Sequence, residues 1–97
     1  MRVVTPRRLT EFSRKHPAAR VPLLYWYEIV KQAKWETLGE IKRDFRTVDY
    51  VGNNRYVFNI KGNDFRIVVI IIFVSHKVYI RFIGTHDQYD KIDAKRV

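Results

Sequence analysis

The sequence predicts an α+β fold, with an N-terminal strand and two to three helices packed on a small antiparallel sheet. Three observations carry this expectation. Helix-start signals and helical apolar spacing are confined to the first half, up to about Phe45. From Asp49 onward the pattern becomes strand-like, with alternation over Arg55 to Lys61. Turn residues at Gly52-Asn53-Asn54, Gly62-Asn63 and Ser75-His76-Lys77 divide that half into short runs that fold back on one another. Ninety-seven residues with 46% hydrophobic content support one core, so residues 1–97 are read as a single domain.

Each element has its own signal. Arg2 to Thr5 is β-prone. Thr5-Pro6 reads as an N-cap followed by proline at the first helical position, opening a helix to about Lys15 that His16-Pro17 ends. A second helix runs from Ala18 or Val21 to Lys34, with Pro22 in its first turn, where proline is tolerated. Its expected apolar face is Val21, Leu24, Tyr25, Ile29 and Ala33. Thr37-Leu-Gly-Glu40 has capping-box form and starts a short third helix ending near Phe45. In Arg55 to Lys61, Tyr56, Phe58 and Ile60 share one face, while Arg55, Val57, Asn59 and Lys61 share the other. Phe65 to Val74 is apolar on both faces, as a central strand is. Val78 to Thr85 forms the last strand, and His86 to Lys95 a short terminal helix or coil.

Charge narrows the function classes. Nineteen Lys and Arg against ten Asp and Glu give +9, with a pI near 10.1. The excess is not a tail: residues 1–46 carry 11 − 5 = +6 and residues 47–97 carry 8 − 5 = +3. A folded domain this basic is normally steered toward a polyanion. The absence of cysteine excludes a disulfide scaffold, a Cys-ligated metal site and a thiol nucleophile. No Gly-rich phosphate loop or Ser/His/Asp arrangement supports a nucleotide-cofactor enzyme or a serine hydrolase. The N-terminus lacks a signal-peptide pattern, and the longest apolar run, Ile67 to Val74, falls far short of the ~20 residues a bilayer needs. A cytoplasmic location with no membrane contact is the expectation.

Strand register brings candidate functional residues together. A Gly62-Asn63 turn pairs Lys61 with Asp64 and Asn59 with Arg66 on one face. A three-residue loop at Ser75 to Lys77 would set Val74 opposite Val78 and Arg66 opposite His86. Asn59, Arg66 and His86 then form a row across three strands, with Lys61 beside it. The rest of that face (Val68, Ile70, Ile72, Ile80, Phe82 and Gly84) is apolar and expected under the helices. Such a row suits phosphate chemistry, because Arg offers a fixed fork to phosphate oxygens, Lys a point charge, and His a proton carrier near neutral pH. His86, Asp87, Asp90 and Asp93 match no metal-ligand spacing and read as an acidic helical face, so no metal or cofactor is expected. His16 and His76 read as solvated turn residues. Tyr25, Trp26, Tyr27 and Trp35 read as core aromatics rather than base-stacking ones.

The stretches Tyr56-Val-Phe-Asn-Ile-Lys-Gly-Asn63, Phe65-Arg-Ile-Val-Val and Tyr79-Ile-Arg-Phe-Ile-Gly-Thr-His-Asp-Gln-Tyr-Asp-Lys-Ile-Asp93 closely resemble the HigB toxins of the RelE superfamily. His16-Pro17, Trp26-Tyr27, Trp35 and Ile41-Lys42 extend the resemblance over nearly the whole chain. It implies a RelE-like fold and an mRNA interferase, an endoribonuclease that cleaves messenger RNA in the ribosomal A site. It also implies neutralisation by a HigA-type helix-turn-helix antitoxin. The chemistry implied is metal-independent: the 2′-hydroxyl attacks the adjacent phosphate, leaving a 2′,3′-cyclic phosphate and a 5′-hydroxyl.

By the same resemblance, Arg66 binds the transition-state phosphate, and Asn59 and Lys61 occupy RNA-binding strand positions. His86 is the acid or base, where many relatives have Arg, and Tyr89 stacks on or hydrogen-bonds to the nucleotide. Asn59 is uncharged where relatives often carry a basic residue. Arg81, typical of HigB sequences, falls on the opposite face and is read as structural. The alternative reading is a non-catalytic RNA- or DNA-binding module that uses the same basic surface.

Overall fold

The computed structural model describes residues 1–97. Strand β1 (Arg2–Val4) leads into α1 (Arg7–Lys15), a 3₁₀ turn (Pro17–Ala19), α2 (Arg20–Gln32) and α3 (Leu38–Asp44). The second half is β2 (Asp49–Gly52), β3 (Arg55–Ile60), β4 (Phe65–Ile72), β5 (Lys77–Thr85) and a single helical turn, α4 (His86–Tyr89). The α+β expectation is borne out, but the sheet is mixed rather than purely antiparallel. Its order is β1-β5-β4-β3-β2, and β1 lies parallel to β5, pairing Arg2 with Lys77 and Val4 with Tyr79.

The helices form for local reasons and are held by one buried stripe each. Thr5 does not cap α1: its φ is +61 and no side-chain cap bond forms, although its carbonyl accepts the Arg8 amide at 3.2 Å. Thr37 does cap α3, its hydroxyl accepting the Glu40 amide at 3.2 Å while the Glu40 carboxylate accepts the Glu36 amide at 2.7 Å. Helix α2 departs from expectation. It buries Leu23, Trp26 and Val30, and leaves Val21, Leu24 and Tyr25 exposed. Both stripes are apolar, so spacing could not choose between them. The stripe carrying the larger indole won, and Trp26 sits edge-on to Phe58 at 5.5 Å. The α-amino group of Met1 closes the C-terminal end of α2, donating to the carbonyls of Val30 (3.2 Å), Lys31 (3.4 Å) and Ala33. Burial, reinforced by nearby Lys34, lowers the pKa of this amine from 8.0.

The helices cover one sheet face. Leu9, Leu23, Trp26, Val30, Trp35 and Ile41 pack on Tyr56, Phe58, Ile60, Ile67, Val69, Ile71, Val78 and Ile80. The expected assignment of faces is therefore reversed. Ile67, Val69 and Ile71 lie under the helices, while Arg66, Val68 and Ile70 point the other way. The β3–β4 register is as expected, with Asn59 opposite Arg66. The β4–β5 register is not. Strand β4 stops at Ile72, a 3₁₀ turn takes Phe73–Ser75, and His76 adopts a left-handed conformation (φ +54) before Ile72 pairs with Lys77. A bulge at Arg81 then lets Ile80 face Val69 while Phe82 faces Val68, so Ile80 and Phe82 sit on opposite faces. The guanidinium of Arg8 braces the bulge by donating to the carbonyls of Ile80 (2.5 Å) and Arg81 (3.4 Å). As a result, Arg66 pairs with Gly84 and not with His86. No helix is long and apolar enough to cross a membrane.

Candidate functional site: an unpaired arginine on the open sheet face

Arg66 lies near the start of β4 on the face turned away from α1–α3, between Asn59 of β3 and Gly84 of β5. After β5, Thr85 caps α4 with a reciprocal capping box. Its hydroxyl accepts the Gln88 amide at 3.2 Å, and the Gln88 side chain accepts the Thr85 amide at 2.9 Å. That cap turns α4 back over this end of the sheet. The Tyr89 ring comes to rest 4.7 Å from the Arg66 guanidinium carbon, with Phe82 beside it at 6.4 Å. The cation–π contact is worth about 0.5–2 kcal/mol.

Closure depends on Gly84 having no side chain. A β-carbon there would lie 2.4 Å from the Phe82 ring tip and 2.9 Å from Gln88 Oε1. The guanidinium, in turn, lacks an acceptor. Its Nε is buried without a hydrogen-bond partner, and no carboxylate forms an ion pair with it. Leaving such a donor unsatisfied costs about 1–3 kcal/mol, so the site holds an acceptor-seeking cation that the protein itself does not satisfy.

Two further groups gather at the same end. Lys61 sits in the turn rather than on the strand, at φ +53, with its Nζ 3.6 Å from Asp64 Oδ2. The Asp64 carbonyl accepts the His86 amide at 3.1 Å, tying that turn to the start of α4. His86 Nδ1 lies 3.1 Å from Asp90 Oδ2, and a proton donated there leaves Nε2 as the basic nitrogen. The structure thus joins Asn59, Arg66 and Tyr89 in one patch and sets Lys61 and His86 at its edge. It does not place His86 in the Asn59–Arg66 row.

Several contributors were not apparent as site residues in the sequence. Gly84, Phe82 and Asp90 shape or support the patch. Only the Thr85-x-x-Gln88 capping-box pattern, and the i,i+4 spacing of His86 and Asp90, could have signalled the fold-back. His86, Asp87 and Asp90 offer ligand atoms within 4.8 Å of one another, although no linear motif joins them; all three are exposed. His16 is not a solvated turn residue: it stacks on Phe12 at 4.4 Å and meets Phe65 edge-on at 5.8 Å. Trp26 and Trp35 are core as expected, whereas Tyr25 is exposed.

Helices cover one sheet face and an unpaired arginine lies on the other, in a chain of charge +9, an α+β arrangement consistent with the RelE-like toxins. Residues 19–92 match HigB_toxin, the RelE-like toxic component of a toxin-antitoxin system, and the chain belongs to that family. It is 30% identical over 97 residues to the mRNA interferase toxin HigB of Escherichia coli strain K12, covering 97% of this chain and 92% of the relative. The mRNA interferase HigB of Shigella flexneri matches equally. That of Escherichia coli O6:H1 is 28% identical over 94 residues, or 95% and 91% of the two chains.

Proposed function

We propose that Arg66 is the transition-state clamp of a metal-independent RNA cleavage carried out on messages in the ribosomal A site. The chain is a HigB-type mRNA interferase, an endoribonuclease toxin, and residues 1–97 act as one RelE-like domain. The observation that carries the assignment is the unsatisfied guanidinium of Arg66 under the Tyr89 ring. A phosphate entering there supplies the missing acceptor. In the reaction, the 2′-hydroxyl loses its proton and its oxygen bonds to the adjacent phosphorus. The P–O5′ bond then breaks, and the 5′-oxygen takes up a proton, giving the 2′,3′-cyclic phosphate and a 5′-hydroxyl. Arg66 and Lys61 stabilise the charge that develops on the phosphorane oxygens, a role in which removing one donor costs about 10²–10³ in rate.

His86 supplies general acid–base catalysis, worth roughly 10²–10⁴. Its orientation by Asp90 favours the base role at Nε2. Tyr89 stacks on the nucleotide, and Asn59 offers an uncharged hydrogen-bonding group beside the phosphate. Arg81, at the bulge, serves the fold. The remaining charge holds ribosomal RNA phosphates, so activity falls with salt. Neutralisation comes from a HigA-type helix-turn-helix antitoxin, and the protein works in the cytoplasm, away from membranes.

The test is brief induction followed by mapping of mRNA 5′ ends, with wild type, Arg66→Ala and His86→Ala in parallel. Cuts inside translated frames that vanish in both variants are the expected result. Full cutting by soluble Arg66→Ala would refute the clamp. Growth arrest without new ends would favour a non-catalytic binding module.

A further inference from the structure

The stripe of α2 that the core does not use borders a groove. Between α1 and α2 runs an open trough of about 690 Å³ with Leu9 and Leu23 on its apolar floor and Leu24 at its edge. All of its charged residues are arginines, Arg7, Arg14 and Arg20; no carboxylate lines it. Arg7 is engaged by Glu11 at 3.4 Å, whereas Arg14 and Arg20 form no ion pair. Along the rim, Val21, Leu24 and Tyr25 fall at i, i+3 and i+4 with 65%, 52% and 68% of their surfaces exposed. An apolar stripe at helical spacing beside a groove is the geometry that accepts an amphipathic helix.

We propose that this groove seats an acidic amphipathic helix of the antitoxin, with its apolar side chains on Leu9, Leu23 and Leu24 and its carboxylates on Arg14 and Arg20. The proposal rests on the toxin–antitoxin reading above and adds where and by what chemistry the partner binds. Charge complementarity selects the occupant: two unpaired guanidinium groups call for fixed anions, and a leucine floor calls for an apolar ridge. RNA would satisfy the arginines but would leave the leucine side chains of the trough without an apolar partner. Tyr27 is the sole aromatic lining the trough. The groove belongs to the helical layer, on the side of the sheet opposite Arg66. A helix seated there does not itself contact the guanidinium.

The experiment compares Leu24→Asp and the double variant Arg14→Glu, Arg20→Glu with their parent. All are made in the Arg66→Ala background so that they can be produced. Binding is read by calorimetry against the antitoxin encoded beside the toxin, and against a labelled single-stranded RNA. In parallel, the same groove changes in an otherwise wild-type chain are assayed for mRNA cutting. At least tenfold weaker antitoxin binding by both variants is expected, with RNA affinity and cutting retained by Leu24→Asp, which leaves the basic charge intact. Unchanged antitoxin binding would overturn the groove and leave the toxin reading intact. Loss of RNA binding with antitoxin binding kept would overturn it in favour of an RNA surface. Failure of the parent itself to bind the antitoxin would remove the partner reading and the groove together.

Discussion

Replacing Gly84 with alanine tests whether α4 really closes over Arg66 through a contact that tolerates no side chain. The new β-carbon would start 2.4 Å from the Phe82 ring tip, and ordinary contact begins near 3.4 Å, so the ring or the strand must retreat by about 1 Å. Overpacking of this kind costs about 1–3 kcal/mol. The same β-carbon lies 2.9 Å from the Gln88 oxygen that accepts the Thr85 amide, and losing that half of the cap costs about 1 kcal/mol more. Against this, alanine restricts the unfolded chain and returns about 0.4–1 kcal/mol. The net is a loss of about 2 kcal/mol, or a fall in Tm of about 8–16 °C for a domain of this size. Urea unfolding should show a lower midpoint, and Tyr89 should lose its seat over the guanidinium, with a drop in cleavage. Phe82→Leu in the same background should recover part of the loss, because the pair couples through contact. An unchanged midpoint in Gly84→Ala would refute the reasoning, since it would mean that the strand and Phe82 already have the room.

Other consequences are simpler to check. Burial, and secondarily Tyr50, raise the pKa of the Tyr56 phenol above 10.0. The folded protein then keeps that proton after the unfolded chain has lost it. The associated stability is complete below pH 10 and disappears as pH rises through the folded value, so Tyr56→Phe should flatten that part of the stability–pH profile. Cleavage is expected to survive EDTA undiminished; loss on chelation, restored by a divalent cation, would reassign His86, Asp87 and Asp90 as ligands. A peptide fused ahead of Met1 replaces an ammonium with a single amide donor at the carbonyls of Val30, Lys31 and Ala33. Calorimetry should show Tm lowered by about 4–8 °C, equivalent to about 1 kcal/mol.

What could be read ahead of the structure follows how local each determinant is. The Asn59–Arg66 pairing was legible because a short turn and a six-residue alternation fix the register between neighbouring strands. Arg66 opposite Gly84 was not. Phe73-Val74-Ser75 has the composition of a strand yet forms a 3₁₀ turn, and nothing in Tyr79-Ile-Arg-Phe82 marks the extra residue of the bulge. The face of α2 was illegible for a related reason: two apolar stripes run along one helix, and only the position of Phe58 decides between them. Parallel pairing of β1 with β5 joins residues remote in sequence, where patterning is silent.

That last pairing also orders events during synthesis. Arg2 meets Lys77 across 75 positions (77 − 2), and Arg66 has no neighbour on its β5 side until Gly84 has been made. Tyr89, which receives the guanidinium, comes later still. A nascent chain therefore has the residues of α1–α3 and of β2–β4 well before Arg66 gains its β5 neighbour and the ring beside it. The patch around Arg66 is complete only once residues 84–89 have left the ribosome that makes them.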